Sequence, residues 1–144
     1  MTDGAAAILL TRRSVAEKHG LKILMRMNSF AVAGVPPEIM GIGPAFAIPA
    51  ALKKAGLTIN DIDIFEVNEA FASQATYCVN KLGIPKEKLN PKGGAIALGH
   101  PLGMTGARMI VTLFHELQRT NKKHGIVSMC IGTGMGACGI FERE

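Results

Sequence analysis

Gly93-Gly94-Ala95-Ile96-Ala97-Leu98-Gly99-His100-Pro101-Leu102-Gly103 is the stretch on which the reading of the whole chain turns. Ala95 to Leu98 is a short apolar run of the kind expected for a buried strand. Pro101 stands where the first turn of a helix tolerates proline. Beyond it, Ala107, Ile110, Val111, Phe114 and Leu117 recur at helical spacing and predict an apolar helix face. His100 therefore falls on a strand-to-helix turn, flanked by Gly99 and Pro101.

Outward from this point the pattern alternates. Toward the carboxyl end, Ile126–Met129 and Ala137–Phe141 read as two strands joined by the glycine turn Gly132 to Gly136, an antiparallel hairpin. Toward the amino end, Ile62–Val67 reads as a strand. Asn68 is the expected N-cap of a helix with Phe71, Ala75, Cys78, Val79 and Leu82 on its buried stripe. Ala45–Ala55 reads as a helix in which Pro49 marks a kink or a late start, and Leu21–Val32 as a long strand. The predicted fold class is α/β: a mixed, mostly parallel five-stranded sheet with helices on both faces and a terminal antiparallel hairpin. Residues 1–20 stand apart, with a strand at 5–10 and a helix at 15–19 opened by Ser14 and Glu17. The opening Asp3-Gly4 turn followed at once by Ala5-Ala6-Ala7-Ile8-Leu9-Leu10 looks like the middle of a fold and not its beginning.

Composition sets the outer limits. Of 144 residues, 48% are hydrophobic and 19% charged, which fits a folded domain and argues against disorder. The net charge of +5 comes from scattered lysines and arginines with one Tyr and no Trp, so no nucleic-acid surface is expected. Phosphorylated small molecules suit that mild positive charge equally. Cys78, Cys130 and Cys138 form no CxxC and make an odd set, which argues against a disulfide framework and against a zinc site. No apolar run reaches the roughly 20 residues of a membrane span, and no targeting segment is visible.

Two side chains carry the expected chemistry. His100, on its glycine-lined turn, is a candidate base or oxyanion donor, against the plainer reading of a histidine bonded to its own turn. Cys130 ends a strand and opens Cys130-Ile131-Gly132-Thr133-Gly134-Met135-Gly136, whose backbone N–H groups can point at an oxyanion. Its thiol can act as a nucleophile or move a proton. Cys78 and Cys138 read as small buried hydrophobes. Asn68, His100 and Cys130 each follow a predicted strand, and in such sheets ligands bind beyond the carboxyl ends of the strands. Glu66 and Glu69 read as structural carboxylates, with Glu69 able to orient a partner.

Three motifs in this order, Asn68-Glu69-Ala70-Phe71-Ala72, the Gly93–Gly103 stretch and the Cys130–Gly136 stretch, resemble the carboxyl-terminal signatures of the thiolase family, most of all the peroxisomal 3-ketoacyl-CoA type. The resemblance covers essentially the whole chain. It implies a protein of two similar α/β halves, with residues 1–20 as the remnant of the amino-terminal half, its last strand and helix, and residues 21–144 as the carboxyl-terminal domain. It implies thiolysis of 3-ketoacyl-CoA by CoA to acetyl-CoA and a shortened acyl-CoA, as in fatty acid β-oxidation, with CoA thioesters as substrates and no cofactor. It assigns His100 to activating a nucleophilic cysteine, Asn68 to holding a water in the same oxyanion hole, Cys130 to proton transfer, and the Gly132 N–H to a second oxyanion hole. The nucleophilic cysteine belongs to the family's other half, so this chain alone is expected to be inactive. Its partner is then a thiolase amino-terminal half or a full subunit, in a homo-oligomer. A non-catalytic module that pairs with a thiolase subunit is the alternative expectation. The implied compartment is the peroxisome, with mitochondrion or cytoplasm as alternatives. Met104 stands where the family usually has a smaller residue and is expected to crowd the helix start behind His100.

Overall fold

In a computed structural model that describes residues 2–144, the chain forms a four-stranded sheet with helices on both faces. The elements are α1 (Arg13–Lys18), β1 (Met25–Gly34), α2 (Pro44–Ala55), β2 (Ile64–Val67), α3 (Ala72–Leu82), α4 (Ala95–Leu98), α5 (Leu102–Arg119), β3 (His124–Ile131) and β4 (Met135–Arg143). The strand order is β1-β4-β3-β2. Only β2 and β3 run parallel; β3–β4 and β4–β1 are antiparallel. The α/β class holds, but the sheet is mostly antiparallel and has four strands instead of five. Alternation of strands and helices predicts parallel neighbours, and it cannot reveal that β1 pairs with the last strand of the chain.

The missing fifth strand is Ala95–Leu98, which is one turn of helix. Four apolar residues carry no period that separates helix from strand. Only Ala95 of the four is buried, and Ile96 and Leu98 are exposed. Residues 5–10 form no strand either, and Leu9 and Leu10 lie exposed. The short first helix runs over 13–18 with Arg12 at its N-cap, without the Ser14–Glu17 box.

α2 and α3 cover one face. Ala47, Ile48, Ala51 and Leu52 of α2 and Val79 of α3 pack on Ala31, Phe65, Val67, Ile126, Cys138 and Ile140. α2 begins at Pro44 and tolerates Pro49 within it, on its solvent side. α5 covers the other face, with Met109, Leu113 and Leu117 against Ile64, Val127 and Phe141. Its buried stripe is Thr105, Met109, Leu113, Glu116 and Leu117, so the predicted face was rotated and shares only Leu117 with it. The β3–β4 hairpin forms as expected, with Ile131 opposite Met135. Its mouth is pressed onto the start of α2. A Cβ on Gly136 would stand 2.1 Å from the Gly43 carbonyl carbon, a contact only glycine permits. Among the described residues, no helix is long and apolar enough to cross a membrane.

Candidate active site

The parallel pair sets the site. Val67 lies opposite Ser128, and the Asn68 N–H continues the ladder by donating to the Ser128 carbonyl at 2.9 Å. Asn68 thus sits at the carboxyl end of β2, beside the last turn of β3 that carries Cys130. It is not a helix cap: α3 starts four residues later, with Phe71 at its N-cap and the Phe71 N–H donating to Gln74 Oε1. The Gln74 amide in turn donates to the Asn68 carbonyl at 3.3 Å. Phe71, predicted in the core, is 69% exposed.

His100 approaches from α4 and the bend before α5. Asn68 Nδ2 lies 3.2 Å from His100 Nε2, and His100 Nδ1 lies 2.7 Å from Thr105 Oγ1. Thr105 also donates to the Pro101 carbonyl at 3.0 Å, so its oxygen is free to accept from the imidazole. An amide nitrogen only donates. The network therefore places the proton on Nδ1 and leaves the Nε2 lone pair facing Asn68. The opposite tautomer would require the Asn68 amide to turn over and Thr105 to give up Pro101. Asn68 is 1% exposed, and its Oδ1 has no hydrogen-bond partner among the described residues. A buried carbonyl oxygen left so is costly unless it meets a water or a ligand.

Cys130 lies within β3 instead of beyond it, opposite Gly136 and half-buried. Burial pushes its thiol up from the ordinary value, so it holds its proton at neutral pH. The same cause raises Cys78, and pushes Cys138 up to about 12. Both of those are buried, as expected. None of the three has the surroundings that make a thiolate. Gly132 opens the turn after β3 at φ +59, a left-handed conformation. Asn68 and His100 are thus in direct contact, while Cys130 and Gly132 stand on the neighbouring strand end. Met104 packs toward Gly4 and lines a pocket of about 460 Å³ with residues 2–6 and Pro101–Gly103, at the start of α5.

A buried ion pair lies beneath. Glu66 is fully buried, and Arg108 Nη1 donates to its Oε2 at 3.3 Å. Burial pushes the Glu66 carboxyl up to about 7 against the pull of Arg108. The sequence reading did not find Thr105, Gln74, Asn90 or Arg108. Thr105 carried one usable signal: it lies five residues past His100, on the first turn of the helix that follows.

This fold, with an asparagine and a histidine meeting at the end of a parallel strand pair, is over residues 21–143 that of a thiolase carboxyl-terminal domain. The family described as "Thiolase, C-terminal domain" matches residues 21–143, and the chain belongs to the thiolase family. It is 72% identical over 143 residues to 3-ketoacyl-CoA thiolase B, peroxisomal, of Rattus norvegicus, covering 99% of this chain and 34% of that protein. It is 68% identical to the peroxisomal 3-ketoacyl-CoA thiolase of Homo sapiens over the same shares. The crystal structure of the dimeric peroxisomal thiolase of Saccharomyces cerevisiae superposes with a TM-score of 0.87 at 61% identity, covering 92% of this chain and 34% of that one. The human mitochondrial 3-ketoacyl-CoA thiolase gives 0.89 at 46% identity, covering 91% and 33%. The chain therefore spans about a third of the length of these relatives.

Proposed function

We propose that this chain supplies the carboxyl-terminal share of a 3-ketoacyl-CoA thiolase site, acting in the peroxisome on CoA thioesters and assembled as a dimer or higher oligomer with an amino-terminal half, on the same polypeptide or another. The observation that carries the reading is the Asn68–His100–Thr105 chain of hydrogen bonds, which presents an unprotonated Nε2.

In the proposed reaction the Asn68 amide gives up its hold on Nε2, whose lone pair then takes the proton of a nucleophilic cysteine belonging to the amino-terminal half. The thiolate attacks the keto carbon of the 3-ketoacyl-CoA, and the Cα–Cβ bond breaks. The acyl group stays on the nucleophile, and the bond's electron pair goes to acetyl-CoA as a carbanion. Cys130 gives its proton to that carbanion, and the incoming CoA thiol returns one to it as CoA attacks the acyl-cysteine; the shortened acyl-CoA leaves, and the expelled cysteine thiolate takes back the proton held by His100. A thiol kept protonated by burial suits the first of these steps. A water held by the unpartnered Asn68 Oδ1, together with the imidazolium, stabilises one oxyanion, and the Gly132 N–H stabilises a second. Neither Cys78 nor Cys138 is available as the nucleophile, because both are buried and protonated.

The test is reconstitution. This chain alone should release no acetyl-CoA from acetoacetyl-CoA and CoA, whereas the chain mixed with an amino-terminal thiolase half should. Turnover by the chain alone, or activity in the mixture that survives His100→Ala, would overturn the proposal.

A further inference from the structure

We infer that Asn90 and Glu69 are positioning residues that lock the Asn68–His100 contact, and that Gly94 is a glycine to make room for them. The inference rests on reading that contact as part of the site. The segment 68–71, which carries Asn68, belongs to no helix or strand. Ser128 and Gln74 hold the backbone at its two ends, residues 68 and 71, and leave the side of the segment that faces α4 to other partners.

Asn90 lies along the open edge of β2, at φ +41. Its N–H donates to the Phe65 carbonyl at 2.8 Å. Its side chain then takes the place of a neighbouring strand. The Val67 N–H donates to Asn90 Oδ1 at 2.9 Å, and Asn90 Nδ2 donates to the Val67 carbonyl at 2.9 Å. The same Nδ2 donates to Glu69 Oε1 at 3.2 Å. The other carboxylate oxygen, Oε2, accepts from the Ile96 N–H at 3.1 Å. The residues on both sides of Asn68 are therefore tied to one amide. Through Glu69 that amide is tied to the first turn of α4, four residues before His100. The two partners of the Asn68–His100 contact come from separate segments, and this chain of bonds is a direct link between them.

Gly94 marks how tightly the link is packed. A Cβ there would stand 2.3 Å from Glu69 Cδ and 2.8 Å from Asn90 Nδ2. Its φ is −99, outside the left-handed region that favours glycine. The constraint is the carboxylate and not the backbone. Glutamine at 69 has one acceptor oxygen where two are used, so it must break a bond. Aspartate at 90 turns the donor into an acceptor facing Val67 O and Glu69.

The experiment is nitrogen-15 NMR of this chain at alkaline pH, where imidazole is neutral. It reads the scalar coupling across the Asn68 Nδ2–H···Nε2 hydrogen bond and the shifts of the two His100 ring nitrogens. The unsubstituted chain should show the coupling, with Nδ1 protonated. Glu69→Gln, Asn90→Asp and Gly94→Ala should each lose the coupling and raise the share of the other tautomer about fivefold, the worth of one ordinary hydrogen bond. Asp61→Asn, which loses a cap of similar strength in a turn outside the network, should change neither reading. Folded variants that keep the coupling would overturn the inference. So would loss of the fold in all three, which would make the role purely structural. If one unfolds, the other two decide. An unsubstituted chain in which His100 has no coupling to Asn68 would sink the reading of the site instead, independently of Asn90 and Glu69.

Discussion

Glu66→Gln should make this domain more stable at pH 8 and leave it unchanged near pH 4.5. Glu66 is fully buried on β2, two residues before Asn68, and its one ion-pair partner, Arg108, leaves Oε1 and Nη2 without hydrogen bonds among the described residues. Burial outweighs the attraction and pushes the carboxyl from 4.5 up to about 7. Between those values the folded state keeps a proton that the unfolded chain releases. The native state then binds more protons, so the free energy of unfolding falls as pH rises through the window. At about 1.4 kcal/mol per unit, a shift of this size removes about 3 kcal/mol by the time the pH passes 7. Glutamine has the same shape and never ionises, so its variant escapes that loss. The assay is urea unfolding of both proteins from pH 4.5 to 8, with midpoints compared at equal slope. The difference should grow with pH in favour of the variant and level off above pH 7. A variant that is less stable than the parent at pH 8 would refute the reasoning, because it would mean that the charged pair stabilises the fold.

Three further outcomes follow from the same contacts. Thr105→Val keeps the volume of a fully buried residue but removes the acceptor for His100 Nδ1; it should cost about 1–3 kcal/mol in a thermal melt and slow reconstituted thiolysis about tenfold. Gly136→Ala drives a Cβ into the backbone of Gly43, and should lower stability by about 3 kcal/mol or prevent folding, as read by the yield and melting of soluble protein. Glu142 accepts from Lys123, Asn28 and Arg26, which hold its carboxyl down at about 2. That stability is present above pH 4.5 and is lost as the pH falls toward 2, so Glu142→Gln should flatten the acid limb of the unfolding profile by about 1–2 kcal/mol, discounted for the exposed partners.

Much of the site could be read from residues alone, and the reason is local. His100 lies between Gly99 and Pro101, Cys130 opens a glycine run, and the Asn68 motif ends a strand; each is a contiguous signature. The class of fold and the terminal hairpin were legible because hydrophobic period and turn chemistry are also local. What was not legible depends on contacts made across the chain. Ala95–Leu98 is a helical turn whose Ile96 N–H is received by the Glu69 carboxylate, 27 positions away, a partner that four apolar residues do not announce. Asn68 resembles an N-cap, yet its N–H belongs to the β3 ladder, and the helix waits for Gln74 to bond Phe71. The direction of β1 depends on its pairing with β4, more than 100 residues later. Thr105 and Asn90 are ordinary polar residues until the fold brings an imidazole to one and a bare strand edge to the other.

The most direct test of the central claim, that His100 and Cys130 serve one thiolase site in separate roles, is the incorporation of deuterium from D2O into the methyl group of acetyl-CoA. The measurement uses this chain paired with an amino-terminal thiolase half. Cys130→Ala should abolish the exchange while transfer of the acetyl group from acetyl-CoA to the nucleophilic cysteine continues, and His100→Ala should slow that transfer. Exchange that persists at the parental rate in Cys130→Ala would contradict the account.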